Sequence, residues 1–415
     1  MRWRIEDSPE QAAFRDQFLA WLRDNLPDGW IEALDSGDEA AFERAWSKWD
    51  LMAWNQMIGS SGYAAPLWPK EYGGLSGEVW MQSIVREELA HYRLPLFGIN
   101  ILGIGLAGPT LIHHGSDEQK ERYLSKILTS EEVWCQLFSE PGAGSDLASL
   151  ATKAERDGDD WIVTRQKVWT SIAEWATWGM LVARTDPTLP KHEGLTYFIC
   201  PMKVDGVDIR PLRQITGASE FNEVYLDQVR IPDANRVGEI GQGWEIARTT
   251  LMNERVALSG LSTSPESFMG GARRDPWKSF VASIPNQDDR LVRQNISRFY
   301  VEREVKEMTA FRAQAARRMG DQPGAEGGVG KIFNAEMNQR QTSFAMNAAG
   351  AASIAWLPDD KAAEARARAF LRARGYSIEG GTSEILKNTL AERVLGLPRD
   401  PAVDKGVPWK DIKRS

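Results

Sequence analysis

Apolar positions recur at helical spacing over residues 8–29, where Phe14, Phe18, Leu19 and Leu22 share a face, and over 39–58, with Phe42, Trp46, Trp49 and Met52. This period predicts amphipathic helices. Pro66, Pro69, Gly73 and Gly74 interrupt them as a loop. Helices resume over Val79–Tyr92 and Ser116–Leu128, the second with Ser116 as N-cap and Glu118 in its first turn. Near residue 132 the pattern changes to short runs rich in β-branched and aromatic residues between Gly, Asp and Pro turns: Trp161–Thr164, Trp178–Arg184, Thr196–Pro201, Val207–Arg210 and Glu223–Val229. After Gly241-Gln-Gly243 the helical period returns over Trp244–Gly260, Asp289–Arg318, Val329–Ala352 and Lys361–Ala373. Residues 261–288, with three prolines and two adjacent glycines, are expected to form a long loop, and the final dozen polar residues a mobile tail. The pattern predicts an α+β multidomain chain: a helical domain over 1–132, a small β domain over 133–243 and a second helical domain over 244–415. There is no internal repeat.

Composition narrows the function classes. A chain of 415 residues with 42% hydrophobic and 26% charged residues is an ordinary globular protein of two or three domains. Its formal net charge is −8, and its cations are dispersed, as with Arg312, Arg317 and Arg318 on one helix, so it lacks the basic stripe a nucleic-acid partner requires. Cys135 and Cys200 each lie in apolar sequence and are expected to be buried free thiols. With no apolar leader at the N-terminus and no apolar run of membrane-spanning length, the expected compartment is the cytoplasm. Gly103-Ile-Gly105-Leu-Ala-Gly108 satisfies a dinucleotide-binding spacing, but Pro109 and the helical surroundings break the strand-turn-helix unit that gives it meaning; small residues for close helix packing are the expectation.

The candidate chemistry lies in the middle of the chain. Residues 133–146 run from an apolar stretch into the polar, glycine-rich Phe138-Ser-Glu-Pro-Gly-Ala-Gly-Ser145-Asp. Such a turn offers backbone N–H groups to an anion, and Trp169, in Gln166-Lys-Val-Trp-Thr-Ser171, offers a flat face to a ring. Together they point to a bound aromatic cofactor.

These two segments closely resemble the flavin-binding segments of the acyl-CoA dehydrogenase family. The resemblance extends over roughly residues 5–395 and includes Trp68-Pro-Lys-Glu-Tyr-Gly-Gly74, His113–Leu124, Phe221–Pro232 and Gly380-Gly-Thr-Ser-Glu-Ile385. It implies a helical N-terminal domain, a central β-barrel or sandwich and a C-terminal four-helix bundle. It also implies FAD as cofactor, an acyl-CoA substrate and no metal. Phe138 and Ser139 would meet the isoalloxazine, with Gly144 in the same cofactor loop. Ser145 would lie near the acyl-CoA, and Trp169 and Ser171 would pack against and hydrogen-bond the flavin. Asn347, Gly381, Thr382 and Glu384 would face the cofactor's other parts.

The implied reaction needs a carboxylate base for an α-proton, an acceptor for the β-hydrogen and donors to the thioester oxygen. Burial that raises the base's pKa favours it. Two glutamates fall in places where the family carries its base. Glu254, in Asn253-Glu-Arg255 on the first helix after the β domain, fits one slot. Glu379 stands one residue before the other, which Gly380 occupies, leaving room for substrate and an N–H for the thioester oxygen. Arg255 either binds CoA phosphate or orients a carboxylate. The implied product is a trans-2-enoyl-CoA, with electrons passed to electron-transferring flavoprotein. The small Gly380-Gly381 pair leans towards a bulky acyl group such as a sterol side chain or a ring. The sequence departs from the homotetrameric members in one place: residues 267–300 contain Arg273, Arg274, Arg290, Arg293 and Arg298 but no Arg-x-x-Phe-Gly segment for the flavin pyrophosphate. The chain is therefore expected as a homo-oligomer using other cations or as one subunit of a heterotetramer with a second acyl-CoA dehydrogenase-like chain. An oxidase or monooxygenase relative, or a non-catalytic subunit completing a partner's flavin site, is the alternative.

Overall fold

The computed structural model describes residues 6–95, 98–258, 276–319, 327–355, 359–399 and 404–412, with 357 and 401. They gather into two compact units. One comprises the described parts of Trp21–Glu78, Leu96–Ala257 and Arg399–Ser415; the other those of Met1–Ala20, Val79–Pro95 and Leu258–Pro398.

The N-terminal third is helical: α1 Pro9–Asn25, α2 Trp30–Ser36, α3 Glu39–Trp46, α4 Leu51–Ser60, α5 Val79–His91, α6 Gly108–His114 and α7 Asp117–Leu128. The expected single helix over 39–58 is two. Asp50 turns its carboxylate onto the Ala53 N–H at 2.7 Å and starts a new helix, as Asp38 does for α3 at 3.0 Å. Ser116 caps α7 in a reciprocal box with Gln119. The Gly103–Ala107 segment is a buried π-helical turn leading into α6. A Cβ on Gly108 would stand 2.0 Å from the Trp68 indole, so the glycine spacing serves packing and not a nucleotide.

The central strands are β1 Trp134–Leu137, β2 Lys153–Asp157, β3 Asp160–Ser171, β4 Trp178–Arg184, β5 Leu195–Pro201, β6 Val207–Leu212, β7 Phe221–Pro232 and β8 Arg236–Val237. They pair in the order β6-β7-β3-β2-β4-β5-β8, with β1 parallel to β4. Strands far apart in that order, such as β5 and β7, pack on one core containing Trp161, Val163, Leu181, Phe198, Val224 and Ile231. The sheet therefore curls on itself as a small barrel-like domain. Cys135 and Cys200 flank Gly179 in this core as buried free thiols.

The C-terminal helices are α8 Gly243–Leu258, α9 Pro276–Ser283, α10 Arg290–Arg318, α11 Gly327–Ala349, α12 Lys361–Arg372 and α13 Ser383–Arg393. Helix α11 packs against α10, α12 and α13 as the centre of a four-helix bundle. Two expectations are corrected. The loop expected over 261–288 contains α9, which starts at Pro276, where a missing N–H costs little, and packs Trp277 on Tyr300 and Phe280 on Phe299 at 5.8 and 5.9 Å. Residues 261–275 lie outside the described residues. The expected mobile tail instead docks on the β4–β5 hairpin: the Trp409 N–H donates to Leu189 O at 2.9 Å and the Lys410 N–H to Pro187 O at 3.0 Å. An indole and paired main chain outweigh the polarity that suggested mobility. Among the described residues no helix is long and apolar enough to cross a membrane.

Candidate active site

The two segments singled out in the sequence meet through the backbone. Val168 donates its N–H to Ser139 O at 3.0 Å, joining β3 to the start of the glycine-rich loop. The loop is folded by a reciprocal pair of hydrogen bonds between Glu140 and Ala143, of 2.9 and 3.1 Å.

Behind it lies a buried charge network that composition gave no reason to expect. Lys167, with 0% of its side chain exposed, spends its three donors on Phe138 O at 3.1 Å, Val182 O at 3.1 Å and Glu140 Oε1 at 3.0 Å. Glu140 also accepts from the Ala151 and Thr152 N–H groups, each at 2.8 Å, and from the Thr152 hydroxyl at 2.5 Å. Burial alone would raise the Glu140 carboxyl, but the Lys167 ammonium and these donors hold it below the usual carboxylate range. Burial in turn lowers the Lys167 ammonium, and Glu140 offsets part of that effect. A buried pair contributes little net stability against an apolar alternative, yet it fixes geometry because neither partner can leave alone. What it fixes is the carbonyl of Phe138 and the root of the glycine-rich loop. Nothing local in the sequence marked the pair, since Glu140 lies in a polar, glycine-rich stretch and Lys167 follows Arg165 and Gln166.

Trp169 sits in a β-bulge. The register between β3 and β7 shifts between Lys167 and Thr170, and Trp169 takes φ +61°, a conformation unfavourable for a bulky residue. The strain leaves the indole 57% exposed, edge-on to Phe221 at 5.8 Å. A strained, exposed tryptophan is poor use of an apolar side chain unless something covers it. The hydroxyls of Ser139, Ser145 and Ser171 have no hydrogen-bond partner among the described residues. Gly142 and Gly144 border open space, and Gly144 and Ser145 are exposed.

Glu254 lies on α8, partly buried, and accepts a long hydrogen bond of 3.4 Å from Gln136 Nε2. Gln136 is on β1, two residues before Phe138. One turn earlier on α8, Thr250 binds Thr110 at 2.9 Å and the Tyr197 hydroxyl at 3.2 Å, while the Tyr197 ring stands edge-on to Phe138 at 6.1 Å. The structure thus brings Glu254 towards the strand that leads into the glycine-rich loop. The backbone of Arg255 continues α8; its side chain is outside the described residues.

The C-terminal signature belongs to the other unit. Glu379 is held by Arg372 at 2.9 Å. Gly380 and Gly381 take φ +61° and +88°, which a side chain would resist, and Lys331 donates to Gly381 O at 2.6 Å. Thr382 caps α13 by accepting from the Ile385 N–H at 3.2 Å, with Glu384 exposed in the first turn. Asn347 is exposed near the end of α11. Arg290, Arg293 and Arg298 lie on α10, and Arg298 pairs with Glu302 at 3.1 Å; Arg273 and Arg274 lie outside the described residues.

Comparison with known proteins decides the family. Residues 8–131, 135–229 and 241–395 match the N-terminal, middle and C-terminal domains of acyl-CoA dehydrogenase. The chain belongs to the acyl-CoA dehydrogenase family. It is 37% identical over 391 residues to acyl-CoA dehydrogenase IpdE1 of Mycobacterium tuberculosis, covering 93% of this chain and 98% of that one. Among solved structures it resembles the Tcur3481-Tcur3483 steroid ACAD, with TM-score 0.73, 28% identity and coverage of 96% of this chain and 100% of that one. It also resembles the ChsE4-ChsE5 complex of Mycobacterium tuberculosis, with TM-score 0.70, 27% identity and the same coverages. The protein is an oxidoreductase of this flavoprotein family, and its residues fit FAD: a strained, exposed indole and three hydroxyls without a partner among the described residues stand on the two joined segments.

Proposed function

We propose that the chain catalyses α,β-dehydrogenation of an acyl-CoA thioester with a bulky acyl group, steroid-derived or ring-bearing, to the trans-2-enoyl-CoA. Glu254 is the base that takes the α-proton. The observation that carries this reading is the contact between Gln136 and Glu254, which turns a carboxylate of α8 towards the strand feeding the glycine-rich loop, whereas Glu379 is engaged by Arg372. The Gln136 amide donates to one carboxylate oxygen and so orients the base. Phe138 and Tyr197 supply an apolar wall beside that strand, excluding water from the reacting carbons. Trp169 and the hydroxyls of Ser139 and Ser171 hold the flavin, and Ser145 contacts the thioester ligand. Asn347, Gly381, Thr382 and Glu384 serve the cofactor, and Arg255 the substrate. Bound flavin supplies a two-electron acceptor for the β-hydrogen.

The steroid-like acyl group is supported by similarity to a steroid ACAD. The missing arginine segment, with similarity to a solved two-component complex, supports assembly with a second acyl-CoA dehydrogenase-like subunit. Electron-transferring flavoprotein is the proposed acceptor and the cytoplasm the proposed compartment. The test is an anaerobic titration of the flavin-loaded protein with steroid side-chain, cyclohexanecarboxyl and straight-chain CoA thioesters. Bleaching of the flavin bands by the bulky thioesters is expected; no bleaching by any thioester would contradict the reading, and hydrogen peroxide on aerobic turnover would replace the proposed acceptor with oxygen.

A further inference from the structure

The segment 404–412 lies beyond residue 395, where the match to the family ends, yet it packs on the loop that carries Ser145. The hub of this contact is Arg184, almost fully buried at the end of β4. Its guanidinium donates to Ala148 O at 2.6 Å, Leu150 O at 3.1 Å and Lys191 O at 3.2 Å, tying the 146–150 turn to the β4–β5 hairpin. The Trp409 ring lies against the same guanidinium at 4.3 Å, and its indole N–H donates to Ser149 O at 3.2 Å. A second tie runs in parallel: Lys191 Nζ bridges Asp146 at 3.0 Å and Asp404 at 2.5 Å. Asp146, next to Ser145, also accepts from the Ser149 hydroxyl at 2.5 Å.

The glycine-rich loop therefore has two anchors. The Glu140–Lys167 pair holds its entrance, and the tail, through Arg184 and Lys191, holds its exit. Between them only Ala143 is buried, while Gly142 and Gly144 on either side of it have nothing within 4 Å of a would-be Cβ. We propose that residues 404–412 act as a strap that positions the Gly142–Leu150 segment, with Lys191 and Trp409 as positioning residues for the acyl-CoA at Ser145. The proposal rests on the acyl-CoA reading of that loop.

The test uses the full-length, flavin-loaded protein as purified, with Trp409→Ala, Lys191→Met and Lys191→Arg. Amide exchange of peptides covering 141–151 and the dissociation constant for coenzyme A are measured for each. The expected result is exchange faster by about tenfold in Trp409→Ala and Lys191→Met, with several-fold weaker coenzyme A binding and unchanged flavin content. Lys191→Arg, which keeps a cation between two carboxylates, is expected to restore both. Lys191→Met stands by itself if loss of Trp409 prevents folding. Unchanged exchange in the variants overturns the strap, and faster exchange with unchanged coenzyme A affinity overturns its positioning role. Failure of the unaltered protein to bind coenzyme A overturns the functional reading, a result separable from the exchange arm.

Discussion

The glycine-rich loop of the β domain and the glycine-rich loop of the C-terminal signature carry similar residues but are built differently. The first, Phe138–Asp146, is rooted in a fully buried ion pair and ends on a turn clasped by Arg184. The second, Glu379–Thr382, is exposed at its two glycines and is held by a partly buried ion pair, a lysine on Gly381 O and the cap of α13. Preorganisation is a property a chain can build within one unit by spending buried charge. Where a loop carries two left-handed glycines and few anchors, its conformation is maintained by backbone permissiveness, and its order depends on what binds it.

Breaking the first loop's anchor should have the largest effect on the fold. Lys167→Met leaves Glu140 buried without its cation and is expected to cost about 3–5 kcal/mol. Chemical denaturation would measure this, with Arg372→Met on the second loop costing about 1 kcal/mol or less, since that pair is more exposed. Equal losses would erase the contrast.

Trp169, on the β-bulge beside the first loop, is held in a strained backbone conformation. Glycine accepts φ +61° without strain, so Trp169→Gly should leave flavin-free stability unchanged within about 1 kcal/mol while weakening flavin retention at least about tenfold. A matching loss of stability would make the indole a core residue and not a cofactor platform.

The smallest expected effect concerns acid. The Arg236 hydrogen bonds, opposed by partial burial and assisted by the Trp161 indole, hold Asp233 down to about 2. A carboxyl depressed in the folded state contributes stability fully present above its unfolded value of about 4 and lost as pH falls towards the folded value. Denaturation at pH 5 and pH 3 should therefore show a loss that Asp233→Asn reduces; an identical pH slope would remove this contribution.

Much of the architecture was legible because period and punctuation agreed. β4 ends where its apolar run ends, and Ser116 caps α7 as its position suggests. The 39–58 region was divided by one aspartate whose capping role a continuing apolar period concealed. α9 and α13 were missed because proline-rich and glycine-rich flanks disguised short helices whose apolar faces need partners far along the chain. The same reason hid the tail: Trp409 meets Arg184 through a separation that no local pattern records. In the site, Trp169, Phe138 and Glu254 came from motifs. The Glu140–Lys167 pair and Gln136 did not, because a buried charge is recognised by its partner and not by its spacing.

The proposed chemistry turns on Glu254 as the base. Its most direct test is single-turnover flavin bleaching, without oxygen, of the flavin-loaded protein and of Glu254→Gln and Glu379→Gln with a bulky acyl-CoA that bleaches the unaltered enzyme. Glu254→Gln is expected to retain flavin and substrate binding while bleaching slows by about a hundredfold or more, and Glu379→Gln to stay within a few-fold. Near-normal bleaching in Glu254→Gln with loss in Glu379→Gln would contradict it and move the base to the C-terminal loop.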